Sequence, residues 1–244
     1  MKNNGVIIVA TCANKYYNSA CYLASTIKEY CPEINVTLFT QDDFLDNKAK
    51  YFDNVITDLP FTGDFVIDRR LKMWAMGNSP YDTTLYLDAD MEVMSEEFST
   101  VFDQIKDNDM LWTGLNEEVE YAWAPRIFGD VEYTVHGAVC LYKSTAKQFM
   151  LDWFDLFVKQ NSGEWWPEGN YPRVIYDDED GDRIYQIKMF DQFPLWWLLN
   201  KESDKYKYLK YDFFDDWTRW NAIQGYEQKL GHGVNPIICH FTLN

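Results

Sequence analysis

The chain opens on a continuous apolar run, GVIIVA at 5–10, whose β-branched residues predict a strand buried on both faces. Helix-like spacing of apolar residues follows over Tyr17–Tyr30, so the first unit reads as βα. The alternation continues. NVTLFT at 35–40 and NVITDL at 54–59 read as strands, a helical stretch runs from about Val66 to Met76, and TTLYLDAD at 83–90 is a further strand. This order predicts an α/β fold with a Rossmann-like, mostly parallel sheet flanked by helices, and such sheets bind ligands at the carboxyl ends of their strands.

Farther along, Ser95 followed by Glu96 and Glu97 has the form of a helix N-cap with an acidic first turn, and Ser144 stands at the start of an amphipathic stretch reaching about Val158. Between them DMLWTG and HGAVCLYK read as strands. From Gln160 to Asp182 the chain is rich in Gly, Pro, Trp and acidic residues, the composition of a long loop or insertion. With no internal repeat and no linker, residues 1–244 are expected to form a single domain.

Charge changes the picture at this point. A formal net charge of −17 argues against a nucleic-acid binder, because a phosphate backbone is held by clustered Lys and Arg. A phosphate-bearing ligand would need a cation. The five cysteines are odd in number, lack CxxC spacing and mostly sit in apolar runs, which suits reduced core thiols. No signal-peptide h-region follows the start and no stretch approaches the roughly 20 apolar residues of a membrane span, so a cytoplasmic protein is expected.

Acidic pairs at i and i+2 are commonplace in so acidic a chain. They recur at Asp107/Asp109, Asp178/Asp180 and Asp180/Asp182, where a solvated turn accounts for them. Asp88 and Asp90 differ because they alone end an apolar strand, Leu85-Tyr86-Leu87, and lead into MEVM. In extended chain, residues i and i+2 face the same side, so both carboxylates can converge on one divalent cation. Ala89 between them leaves the backbone accessible. A cation there would neutralise a diphosphate leaving group.

These residues bring a resemblance into view. LKMWAMGNSPYDTTLYLDADMEV at 71–93 resembles the Lys-x-x-Trp helix, hydrophobic strand and DxD motif of the retaining GT-A glycosyltransferases of the glycogenin and bacterial lipo-oligosaccharide galactosyltransferase type, a family 8-like group. Lys72 stands at the matching position, and Trp74 follows it at i+2, one residue short of the motif's spacing. VIIVATCANKYYNSACYLASTIK is similar to the family's first strand and helix, which implies that Thr11, Asn14 and Tyr16 or Tyr17 surround a uridine, with one tyrosine stacked on the base. FDQFPLWWLLN at 190–200 resembles the Asp-Gln motif, making Asp191 and Gln192 the implied catalytic pair. NPIICHF at 235–241 resembles the strand whose histidine is the third metal ligand, here His240, and an imidazole beside two carboxylates suits Mn²⁺ better than Mg²⁺.

The resemblance thus implies a GT-A fold, with a nucleotide-binding part at about 1–115 and an acceptor and sugar part at about 116–244, and transfer of a sugar from a UDP-sugar to an acceptor hydroxyl on a glycan or other molecule, with a catalytically inactive nucleotide-sugar or glycan binder as the alternative. Two departures stand out. The family's Gly-x-x-Lys-Pro-Trp has no counterpart in HFTLN, so its phosphate contact is either absent or supplied from elsewhere, with Lys72 and Lys229 as candidates. HGAV at 136–139 replaces Asn-x-Gly-Val, which puts His136 in the asparagine's place at the donor pocket. Trp165 and Trp166 lie in the polar loop and are candidates for packing on an acceptor sugar, whereas Trp153, Trp196 and Trp197 read as core.

Two other enzyme classes fit less well. A haloacid-dehalogenase-type phosphatase carries its DxD after the first strand and continues with Gly or Thr, not Met91-Glu92. A nucleotidylyltransferase needs a Gly-rich phosphate loop, and TCANKYYNS contains no glycine.

Overall fold

The computed structural model describes residues 3–114, 135–165, 173–176, 183–186, 191–223 and 235–241. Strand β1 (Asn4–Ala10) leads into helix α1 (Asn14–Tyr30), followed by β2 (Asn35–Thr40) and β3 (Asn54–Ile56). Two short helices, α2 (Phe65–Asp68) and α3 (Lys72–Gly77), precede β4 (Thr83–Leu87) and β5 (Met91–Val93). A 3-10 helix over Glu96–Ile105 leads to β6 (Met110–Gly114), β7 (Val135–Lys143), α4 (Lys147–Ser162), β8 (Arg173–Tyr176) and β9 (Arg183–Gln186). The last elements are α5 (Gln192–Asn200), β10 (Tyr211–Phe213), α6 (Trp217–Trp220), β11 (Ala222–Ile223) and β12 (Ile238–His240).

Seven strands form the central sheet in the order β10-β6-β7-β4-β1-β2-β3. All neighbours are parallel except that β7 runs antiparallel to both β4 and β6. The sheet is covered on both faces, which is why β1 and β4 read as unbroken apolar runs. Val6, Ile8, Leu85 and Leu87 pack toward α1 and the 3-10 helix, while Ile7 and Tyr86 pack toward α3, α4 and α5. A small second sheet, β11-β12-β5, joins the chain after the DAD segment to the far C-terminal strand.

Four local expectations change. The helix expected from Val66 to Met76 is two helices, because Asp64 caps the first through the amides of Val66 and Ile67 and residues 69–71 form a turn. Ser95 does accept from the Glu97 amide, but a 3-10 helix follows it. Ser144 opens a single 3-10 turn ahead of α4, which runs on to Ser162 and is closed by Gly163 at φ 81°, a left-handed position that favours glycine. The segment read as loop from 160 to 182 also contains β8, which pairs antiparallel with β9.

Among the described residues, no helix is long and apolar enough to cross a membrane. All five cysteines are free thiols, three of them buried.

Candidate active site at the carboxyl ends of the strands

The parallel strands β1 and β4 end on the same side of the sheet, and the reversed strand β7 begins there. The Asp88 amide donates to the Ala138 carbonyl at 2.9 Å, continuing the β4–β7 ladder one residue past the end of β4. On β7 the register jumps. Trp112 pairs with Cys140 but its neighbour Thr113 pairs with His136, so one step on β6 spans four on β7. This bulge, a device common beside active sites, turns His136 and Gly137 toward the strand ends.

A pocket of about 310 Å³ opens there. Its wall includes Thr11 and Tyr16 after β1, Lys72 from α3, and Asp88, Ala89 and Asp90 after β4. The opposite wall includes His136, Asp191, Gln192 and His240. The side chains expected at the donor, metal and catalytic positions therefore converge, with two exceptions. Asn14 is exposed at the first position of α1 and is not part of the wall. Tyr17 points into the core, 1% exposed, with its hydroxyl donating to Asp46 at 2.9 Å and its ring against Phe44. Adjacent helical positions lie about 100° apart, so only one of the two tyrosines can face the pocket, and that one is Tyr16.

One end of the pocket is built by two strands distant in sequence, and it gathers three side chains able to ligate a cation. β12 pairs antiparallel with β5, setting His240 opposite Met91, and the Phe241 amide donates to the Asp90 carbonyl at 2.8 Å. This brings His240 Nε2 to 3.5 Å from Asp90 Oδ1. One donor atom from each of Asp88, Asp90 and His240 lies within 4.8 Å of the others. Two carboxylates and an imidazole at that spacing fit a divalent transition metal. Asp88 is further oriented by the Tyr86 hydroxyl, which donates to its Oδ1.

The other end is a buried charge cluster around Asp191. Lys72 Nζ stands 2.8 Å from Asp191 Oδ2 and 3.4 Å from Asp88 Oδ1, and Arg70 Nε lies 3.1 Å from Asp191 Oδ1. Residues i and i+2 do not share a face of a regular helix, so the turn between α2 and α3 is what lets Arg70 and Lys72 reach one carboxylate. Burial alone would raise the Asp191 carboxyl, but Lys72 and Arg70 overcome it and hold the group far below the ordinary carboxylate range. The lysine responds in kind: burial lowers it, Asp191 and Asp88 raise it, and it stays charged.

Backbone and amide contacts hold this cluster in place. Trp153 Nε1 donates to the Asp191 carbonyl at 2.6 Å. The Gly137 amide donates to Gln192 Oε1 at 3.0 Å, while the Gly137 carbonyl accepts from Lys72 at 3.2 Å. At the β1 end of the pocket, Thr11 donates its hydroxyl to the Asp68 carbonyl at 2.7 Å, and the Arg69 guanidinium lies 5.2 Å above the Tyr16 ring. His136 is neutral: burial, with His240 and Lys72 nearby, holds it down to about 3.

Several participants were not legible as site residues. Arg70 and Arg69 look like surface positions of an amphipathic helix, and Tyr86 looks like any core residue of β4. Asn221, a buried residue whose amide lies 3.0 Å from His240 Nδ1, carries no motif at all. Of the two lysines named for a phosphate contact, Lys72 lines the pocket, paired to Asp191 and Asp88 and with Arg69 and Arg70 on the same wall, and Lys229 lies outside the described residues. Trp165 packs edge-on against Trp197 at 5.6 Å and near Phe193, joining the core cluster, while Trp166 lies outside the described residues.

No protein-family model and no curated protein sequence matches the chain. Solved structures do. The galactosyltransferase LgtC, in complex with donor and acceptor sugar analogs, superposes with a TM-score of 0.58 at 14% identity, over 98% of this chain and 87% of that one. A glycosyltransferase involved in glycosylation of the major capsid of PBCV-1 gives a TM-score of 0.54 at 14% identity, covering 97% of this chain and 92% of that one. Mouse xyloside xylosyltransferase 1 gives 0.51 at 11% identity, with 97% of each chain covered. The chain therefore has the GT-A fold, a mostly parallel seven-stranded sheet flanked by helices.

Proposed function

We propose that this protein is a glycosyltransferase that moves a sugar from a UDP-sugar to an acceptor hydroxyl with retention of anomeric configuration. The observation that carries the reading is the convergence, on one pocket at the strand ends of a GT-A fold, of a three-donor cation cradle and a buried Asp191 gripped by two cations. The residues of about 1–115 supply most of the nucleotide end, and those of about 116–244 supply His136, Asp191, Gln192 and His240.

Charge bookkeeping supports an anionic donor. Three basic side chains, Arg69, Arg70 and Lys72, face three carboxylates, Asp88, Asp90 and Asp191, on the pocket wall. The site is thus close to neutral within a chain of net charge −17, and a divalent cation would make it attractive to a diphosphate. Held by Asp88, Asp90 and His240, Mn²⁺ would supply Lewis-acid neutralisation of the departing diphosphate.

The chain's own residues carry the rest. Tyr16, capped by Arg69, offers an aromatic face for the base. Gln192, fixed through the Gly137 amide, lines the pocket next to Asp191, where its amide nitrogen would be available to a donor sugar. Asp191 has its charge shared between Lys72 and Arg70, which suits a carboxylate that stabilises positive charge developing at the anomeric carbon better than one that attacks it. The acceptor, a glycan or other hydroxyl compound, would enter from the open side.

Thermal shift with UDP, with Mn²⁺ and with both together tests this reading. The expected result is a Tm rise with the pair that exceeds the sum of the separate rises. No shift with any of the three would overturn it. A rise without any transfer activity would point to the non-catalytic nucleotide-sugar binder instead.

A further inference from the structure

Asn221 sits between the two pocket histidines, 1% exposed, at the end of α6 and immediately before β11. β11 pairs with β12, which fixes Asn221 beside His240, while Thr113 and His136 are register partners across β6 and β7. Three separate parts of the chain thus meet at one amide.

The polar contacts of that amide fall into a definite pattern. Its Oδ1 lies 3.0 Å from His240 Nδ1. Its Nδ2 lies 3.1 Å from Thr113 Oγ1 and 3.2 Å from His136 Nδ1. An amide oxygen only accepts and an amide nitrogen only donates, so this orientation of the amide sets the role of each partner. His240 Nδ1 must carry a proton, and His136 Nδ1 must present a lone pair. In neutral rings the remaining nitrogens follow: His240 Nε2 is a bare lone pair, directed to the Asp90 side, and His136 Nε2 is an N–H donor on the pocket wall.

We propose that Asn221 is a positioning residue that sets opposite tautomers in His240 and His136, so that one amide prepares a metal-ligating nitrogen and, 5.5 Å away between ring centres, a hydrogen-bond donor for an oxygen of the donor substrate. The first half rests on the proposed cation cradle; the tautomers themselves do not. The inverted amide would give the reverse of both. It would place a donor against His240 Nδ1 and leave Nε2–H facing Asp90, where a proton would occupy the position of the cation.

The chain has only three histidines, so side-chain ¹⁵N NMR resolves the question directly. In the protein with Mg²⁺, His240 is expected as Nδ1–H and His136 as Nε2–H, each assigned by the loss of its signals in His240→Gln and His136→Gln. Asn221→Leu, of similar size but without polar groups, is expected to weaken Mn²⁺ binding by about 10–100-fold while circular dichroism shows a folded protein. Asn221→Asp retains an acceptor for His240 but has no donor for His136. It should bind Mn²⁺ within about threefold of the parent, well short of the loss in the leucine variant, while His136 Nδ1 gains a proton.

A spectrum with Nε2–H at His240 or Nδ1–H at His136 overturns the assignment. So does Asn221→Leu binding Mn²⁺ as the parent does. Expected tautomers in a protein that binds no Mn²⁺ would support the assignment and sink the cation cradle, which keeps the two failures apart.

Discussion

Lys72 and Asp191, 119 positions apart in the chain, meet at 2.8 Å with both side chains almost wholly buried. The lysine also reaches Asp88 at 3.4 Å, so a single ammonium links the proposed catalytic carboxylate to the proposed cation cradle. Burying such a pair is expensive, and removing one partner leaves an uncompensated charge in the interior.

Asp191→Asn is therefore expected to lower stability by about 3–5 kcal/mol, because Lys72 and Arg70 lose their counter-ion. Chemical denaturation with a two-state fit measures this. A loss below about 1 kcal/mol would show that the cluster is not held as described.

The same carboxylate sets a pH dependence. Its folded-state pKa is depressed despite burial because Lys72 and Arg70 hold it ionised, so its contribution is fully present above the unfolded carboxylate pKa of about 3.9 and is lost as pH falls through the lower folded value. The acid limb of the parent's stability curve should accordingly be steeper than that of Asp191→Asn. Thermal melts at a series of pH values from neutral down into the acid range read the difference, and parallel limbs would contradict it.

Tyr16 and Tyr17 should separate cleanly. Tyr16→Ala is expected to weaken UDP binding by about 5–100-fold, the worth of one base–aromatic stack, with Tyr16→Phe near the parent. Tyr17→Phe should leave UDP affinity unchanged and cost about 1 kcal/mol of stability through the lost bond to Asp46. Calorimetric titration with UDP, paired with denaturation, measures both. A UDP defect confined to the Tyr17 variant would reverse the assignment.

How much of this was legible beforehand follows from the range of the interactions. The buried strands β1 and β4 announce themselves because a sheet covered on both faces demands unbroken apolar runs. The residues brought together at the pocket, Asp88, Asp90, Asp191, Gln192 and His240, were visible as motifs by resemblance, each bordering a recognisable apolar run. Arg70 was not, because only the turn at 69–71 aims it at a carboxylate 121 positions away, and a turn inside an apolar-periodic stretch leaves no compositional mark. Asn221 depends on the β11–β12 pairing and the β7 bulge together, neither of which has a local signature. The reversal of β7 was equally hidden, since a central strand is apolar whichever way it runs.

Gly5 tests the packing behind the site. A Cβ there would overlap the ring of Tyr81, which is buried and bonded to Thr37 at 2.7 Å. Gly5→Ala should cost about 1–3 kcal/mol and lower Tm by several degrees, with β1 and the pocket otherwise intact. An unchanged Tm would mean that β1 and Tyr81 are not in contact as described.

The most direct measurement is UDP release from a set of UDP-sugars, with and without Mn²⁺, by the parent, Asp90→Asn and Asp191→Asn. The expected result is turnover of at least one donor that requires Mn²⁺ and falls by more than about 100-fold in both variants. Release that is indifferent to chelation and to Asp90→Asn, or no release from any donor tested, would contradict a metal-assisted sugar transfer centred on Asp88, Asp90 and His240.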